Sequence, residues 1–249
     1  MTADPILQVT GLTKHFGAVR AADDLTFSVK RGEIHALIGP NGAGKSTTIG
    51  QLSGEIRPDG GRVAFNGRDI TRMPTYRRAR KGLQRSYQIT SLFPEFTAED
   101  NVAMAIQSQQ GHSFRFWTRA RRDRALRLPA REALRRVGLE DMANLKVTEL
   151  AHGQQRQLEL AMTLATEPSM LLLDEPMAGM GRRETQGMME ILRSLKGDVA
   201  ILLVEHDMDV VFALADVVSV LVKGSVQMTG TPDEVRDDTE VRRAYLGDG

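Results

Sequence analysis

Cysteine is absent from the 249 residues, which excludes disulfides and thiolate metal sites and is compatible with a reducing compartment. Long hydrophobic runs are missing too. The most apolar stretches, Val210 to Val222 and Val199 to Val204, are shorter than the roughly 20 residues of a spanning helix. The longer one also contains Asp216. The opening MTADPILQV has no basic stretch followed by an apolar core, so nothing in it reads as a secretion signal. Neither sign of charge dominates: 33 Lys and Arg against 32 Asp and Glu leave +1, which gives no support to a general attraction to nucleic acid. No internal repeat or low-complexity tract stands out.

What remains is ordinary globular material, with 41% hydrophobic and 26% charged residues. The length suits one large domain, or one domain carrying a substantial insertion. Charge is nevertheless uneven. Between Arg115 and Arg136 nine arginines (115, 119, 121, 122, 124, 127, 131, 135, 136) meet only Asp123 and Glu132. That run reads first as a solvated helix face, and second as a surface near anionic lipid headgroups. Phe114, Phe116 and Trp117 among those arginines read either as an anchor under a loop or as a docking surface.

Periodicity divides the chain. LQVTGLTKHFG and LTFSVKRGEIHALIG alternate as strands do and are broken by glycine turns. STTIGQLSG predicts a short helix ending near Gly54, and RPDGGRVAFNGRDI a strand between two turns. From about Ser91 to Asn144 the composition turns helical, with no strand candidate. The core then resumes with a helix over Gln154 to Thr166, stopped before Pro168, and with SMLLLDE, the continuous apolar run of a strand buried on both faces. Helices over Arg183 to Leu195 and Met208 to Ala215 alternate with strands over Val199 to Val204 and Val217 to Val222. Such alternation predicts an α/β fold with a mostly parallel sheet. TPDEVRDDTEVRRAYLG predicts a capped terminal helix starting at Thr231 or Pro232.

Two sites carry chemistry. Residues 39 to 47 read GPNGAGKST, with a strand before and a helix after. Gly39, Gly42 and Gly44, with Pro40, Asn41 and Ala43 between them, let backbone N–H groups converge on one concavity at a helix N-terminus. In such a P-loop Lys45 would contact the β- and γ-phosphates, Ser46 would ligate Mg²⁺, and Thr47 would reach the α-phosphate. Asp174 and Glu175 close a buried strand at its carboxyl end, where ligands collect in parallel sheets. Asp174 can hold the Mg²⁺ shell, while Glu175 can accept a proton from, or orient, the water that attacks the γ-phosphate.

With both motifs in this order the chain resembles the ATP-binding subunit of an ABC transporter over nearly its whole length. LAHGQ, Leu150 to Gln154, is similar to the family signature LSGGQ. The resemblance implies that Ala151, His152, Gly153 and Gln154 bind the γ-phosphate of a partner's ATP across a head-to-tail dimer, and a helix N-terminus suits an anion. It further implies that Gln88 is the glutamine that senses Mg²⁺ and water and couples to the membrane subunit. By the same resemblance His206 contacts the γ-phosphate and steadies Glu175, and Phe16 stacks on adenine. Fold and boundaries follow: a P-loop NTPase (RecA-like) core over about 5–90 and 155–249, with an antiparallel β subdomain. A helical subdomain over about 91–154 completes a single ATPase domain over 5–249.

Two positions depart from the pattern. Ala151 replaces the signature serine, and Gly181 in MAGMG stands where many members carry Asp. Recognition must then lean on backbone N–H groups, and the contact between subunits made by that Asp is in doubt. Such changes, VEHDMD at 204 to 209 and RRAYLG at 242 to 247, resemble the branched-chain amino acid import branch. The resemblance implies an ATPase on the cytoplasmic face of the inner membrane, using ATP and Mg²⁺. Its partners would be permease subunits, a second cassette and, indirectly, a periplasmic binding protein, with no nucleic acid. The alternatives are a urea or amide importer, a lipopolysaccharide exporter, or a soluble ABC ATPase outside transport. A P-loop kinase or GTPase conflicts with LAHGQ.

Overall fold

The first strands follow from their alternation. β1 (Pro5–Phe16) and β2 (Val19–Lys30) put Ile6, Leu7, Val9, Leu12, Leu25, Phe27 and Val29 into the interior and leave polar residues between them. They pair antiparallel, and β1 also pairs with β4 (Gly60–Phe65), which pairs with the short β5 (Arg68–Asp69). The result is a four-stranded antiparallel sheet in the order β2-β1-β4-β5. The structure, a computed structural model, describes residues 4–86, 92–109 and 123–241.

The second sheet holds β3 (Ile34–Ile38), β6 (Leu83–Arg85), β7 (Met170–Asp174), β8 (Ala200–Val204), β9 (Val217–Val222) and β10 (Ser225–Gly230). Their order is β10-β9-β3-β8-β7-β6, parallel throughout except for β10. Every residue of β3, β7 and β8 is buried, as the continuous apolar run predicts for β7; β3 buries even His35. Alternation sorts the two faces. Leu37, Met170, Leu172 and Leu202 join Phe27, Leu25 and Phe65 of the antiparallel sheet in one core. Ala36, Ile38, Val218 and Val220 face a second core with Val211 and Val235, from α7 (Met208–Leu214) and α8 (Pro232–Asp237).

Two compact units result. One comprises 1–85, 169–175 and 192–249, and the other 86–168 and 176–191. The first also holds α1 (Lys45–Ser53) and α2 (Thr75–Arg80). In the second, α3 (Ala98–Gln109), α4 (Arg124–Arg136) and α5 (His152–Leu164) pack on one another. They bury Val102, Ile106, Leu126, Leu134, Leu158 and Leu164. α6 (Arg182–Leu195) begins in this unit and ends in the other.

The structure differs from expectation in several places. α5 starts at His152 instead of Gln154, and its apolar face is used by α3 and α4, so the helical unit extends beyond 91–154. α2, β6 and β10 were not anticipated. The terminal helix stops at Asp237 and resumes as α9 (Thr239–Val241), because Asp238 takes an extended conformation. Its start is as expected: Thr231 Oγ1 accepts the Glu234 N–H, and Glu234 Oε2 accepts the Thr231 N–H at 2.7 Å.

The described arginines of the basic run are largely engaged. Arg127 pairs with Asp100 at 2.6 Å, Arg131 with Glu99 at 3.3 Å, and Arg135 with Glu132 at 2.6 Å. Arg115, Arg119, Arg121 and Arg122, like Phe114, Phe116 and Trp117, lie outside the described residues.

Candidate functional site

β3 lies between β8 and β9 and delivers the chain at its carboxyl end into the loop Gly39 to Gly44. Gly44 caps α1 with φ 105. A Cβ at this position would stand 2.1 Å from the Ala21 carbonyl oxygen, a backbone atom that cannot move aside. We therefore expect Gly44→Ala to cost about 3 kcal/mol or more and to remove nucleotide binding. A urea melt and titration with a fluorescent ATP analogue would show it; wild-type binding by the variant would refute the assignment.

The loop is braced from within and behind. Ala43 N–H donates to the Pro40 carbonyl at 3.1 Å, and the Ala43 carbonyl accepts the Gly224 N–H at 2.9 Å. Lys45 Nζ folds back onto the loop, donating to the Gly39 carbonyl at 2.5 Å and the Pro40 carbonyl at 3.1 Å. Burial lowers the Lys45 pKa, and the nearby carboxylates of Glu175 and Asp174 oppose that shift. An ammonium on two carbonyls would gain a stronger partner in a phosphate. Ser46 is exposed and Thr47 half-buried.

Asp174 ends β7 and is 6% exposed. Burial raises its pKa; Arg85 pulls it down, Glu175 pushes it up and Lys45 pulls it down again. Arg85 Nη2 donates to Asp174 Oδ2 at 3.2 Å, and Nη1 to Glu55 Oε2 at 2.5 Å. Glu175 stands in the left-handed region at φ 49, held there by its N–H donating to the Val204 carbonyl at 2.8 Å. A non-glycine residue kept in that region marks a site whose surroundings over-determine it. His206 is exposed just beyond β8, its Nδ1 3.7 Å from Glu205 Oε2. The Ser46 hydroxyl and Asp174 carboxylate are hard oxygen donors of the kind Mg²⁺ takes alongside phosphate and water.

Phe16 ends β1 with a relative exposure of 51%, and Lys14 Nζ lies 5.3 Å from its ring centroid. One ring face can therefore receive a planar ligand. Gln88 lies outside the described residues.

The second unit carries the other motif. Ala151 is extended and precedes the first turn of α5, and Gln154 Oε1 accepts its N–H at 2.9 Å. Ala151 offers no side-chain cap, so the first N–H groups of the helix keep their affinity for an anion. His152 is exposed and Gly153 buried. Gly181 N–H donates to Glu184 Oε2 at 2.9 Å. Sequence reasoning missed Arg85, Glu184 and Gly224. Arg85 and Gly224 reach their partners only through the fold, while Glu184 bonds Gly181 as a local cap and meets Gly153 only through the fold.

A family model described as ABC transporter matches residues 22–178, and one described as branched-chain amino acid ATP-binding cassette transporter matches 228–249. The chain is 38% identical over 254 residues to the high-affinity branched-chain amino acid transport ATP-binding protein BraF of Pseudomonas aeruginosa, covering 98% of each. The ADP conformation of MJ1267, an ATP-binding cassette of an ABC transporter, superposes with a TM-score of 0.86 at 26% identity, covering 99% of this chain and 100% of that one. A dimeric post-hydrolysis state of the cassette MJ0796, bound to ADP and Pi, gives 0.74 at 25% identity, with 91% and 98% covered. The chain thus belongs to the ABC transporter family, as one of its ATP-binding cassettes.

Proposed function

We propose that this ATPase energises the import of branched-chain amino acids, or close chemical relatives, through partner permease subunits. For the chemistry, the observation that carries it is Lys45 folded onto the Gly39 and Pro40 carbonyls at the end of β3, in the sheet whose β7 ends at Asp174. For the cargo, it is likeness to BraF along nearly the whole chain.

In this reading 5–249 is one cassette. Gly39 to Thr47 cradle the phosphates and Phe16 stacks on the adenine. Ser46 and Asp174, with Gln88 assigned on resemblance alone, hold Mg²⁺, which supplies positive charge to the phosphate oxygens. Glu175 takes a proton from the attacking water or orients it, and His206 meets the γ-phosphate. The α5 turn from Ala151 to Gln154 serves the ATP of a second cassette, identical or homologous. Among the described residues no helix is long and apolar enough to cross a membrane. In this proposal the chain is held at the cytoplasmic face by the permease, with a periplasmic binding protein on the far side.

Lys45→Ala tests the cradle. It should weaken ATP binding by about tenfold or more, the scale of a charge-assisted contact, and remove hydrolysis. Hydrolysis at the wild-type rate would sink the phosphate assignment. The cargo is tested separately, by reconstituting the chain with its co-purified permease and binding protein in vesicles. Leucine uptake that does not depend on ATP, or no leucine uptake beside active uptake of urea, would overturn it.

A further inference from the structure

We propose that Glu184 is a positioning residue that locks the anion-binding turn of α5 to the loop leading away from Glu175. That loop, Pro176 to Gly181, belongs to the same unit as α5. Glu184 sits in the first turn of α6, and its carboxylate is used twice. Oε2 accepts the Gly181 N–H at 2.9 Å. The rest of the group lies flat against Gly153. A Cβ there would be 2.5 Å from Glu184 Oε1, 2.7 Å from Cδ and 3.0 Å from Cγ.

An N-terminal cap on α6 requires only the first of these contacts. The second places a carboxylate where any residue larger than glycine at 153 would need room. His152 lies near the same loop: a Cβ on Gly179 would stand 3.7 Å from its Nε2, an ordinary van der Waals separation. Glu184 thus lies against both Gly153 and Gly181. Gly181 has no side chain of its own to fix the loop, and Glu184 fixes it from three residues away. A shift of the loop then carries the first turn of α5 with it.

This role rests on the two-subunit reading above, in which that turn binds the partner's ATP. The test is sedimentation with ATP in a Glu175→Gln background, which should give an ATP-dependent dimer. Adding Glu184→Ala should weaken that dimer by about tenfold or more, the scale of a hydrogen bond to a charged group. Binding of a fluorescent ATP analogue to the single subunit should stay within about twofold, because that pocket belongs to the other unit. Glu184→Gln keeps an acceptor oxygen and a flat end group, and should bring the dimer back to within about threefold. Glu184→Asp, one methylene short, should not.

An unchanged dimer with Glu184→Ala would reduce the residue to a helix cap and overturn the proposal. So would an equal loss of analogue binding together with a lowered melting temperature. Absence of any ATP-dependent dimer with Glu175→Gln alone would instead defeat the two-subunit reading, and this role with it.

Discussion

Glu175→Gln is expected to lower ATP turnover by about 10²- to 10⁴-fold, the contribution of a positioned base, while ATP stays bound. The substitution preserves shape and removes charge. Glutamine can hold the same left-handed backbone at φ 49, so the N–H bond to the Val204 carbonyl survives. The electrostatics are also tolerant. Glu175 is one of the groups raising the Asp174 pKa, so its neutralisation moves Asp174 downward and leaves it more readily ionised. Lys45 loses one of its two supporting carboxylates and keeps Asp174. Phosphate release under saturating MgATP, beside an equilibrium binding curve, separates the two effects. A variant that turns over like the wild type would show that another group activates the water.

Arg78→Ala carries the largest expected loss of stability. Arg78 is 2% exposed, and its guanidinium donates to four carbonyls, with the Asp69 carboxylate acting on it through charge alone. Nε donates to Met73 at 2.8 Å and Nη2 to Thr71 at 3.0 Å. Nη1 donates to Gln51 at 2.8 Å and Leu52 at 2.7 Å, carbonyls of the last turn of α1. A cation is favourable at that end of a helix. Burial lowers its pKa to about 10, so the group remains charged at neutral pH. Truncation would strand several carbonyls in a closed space, at a cost of about 3–5 kcal/mol. For a chain of this size that corresponds to a melting midpoint lower by about 10 °C. Arg78→Lys, with a compact ammonium in place of a planar fork, should recover only part of it. A midpoint within about 2 °C of wild type for the alanine variant would mean that water satisfies those carbonyls without loss.

The parallel sheet is legible in the sequence because β7 and β8 are apolar runs, and β3 and β9 are apolar runs interrupted once each, by His35 and Ser219, ending in turns or motifs. The missed elements lack such a mark. β6 has two polar residues in three, and pairing with β7 is what makes it a strand. α2 has no apolar stripe; its one buried residue is Arg78. β10 is half-exposed and starts beside a glycine turn, so its alternation is weak. The site divides along the same line. Gly39 to Thr47 and Asp174 with Glu175 are contiguous, and local rules of loop and strand place them. Arg85 meets Asp174 from 89 positions away, a distance no local pattern can bridge. The arginine run shows the converse. Read in the sequence as a solvated helix face, it exposes Arg131 and Arg135, but Arg127 and Arg131 also reach Asp100 and Glu99 on another helix, which no local pattern shows.

The place of β3 in the sheet has a consequence for how the molecule is made. Its neighbours are β8 and β9, and the brace behind Ala43 comes from Gly224. The strand that leads into the phosphate loop is therefore synthesised well before its flanks. A ribosome must add β8, β9 and Gly224 before this loop can take its final form. Until then an apolar strand waits without partners, and nucleotide cannot stabilise a partly made chain by binding it. Affinity for ATP should thus arise only after those later elements have been made.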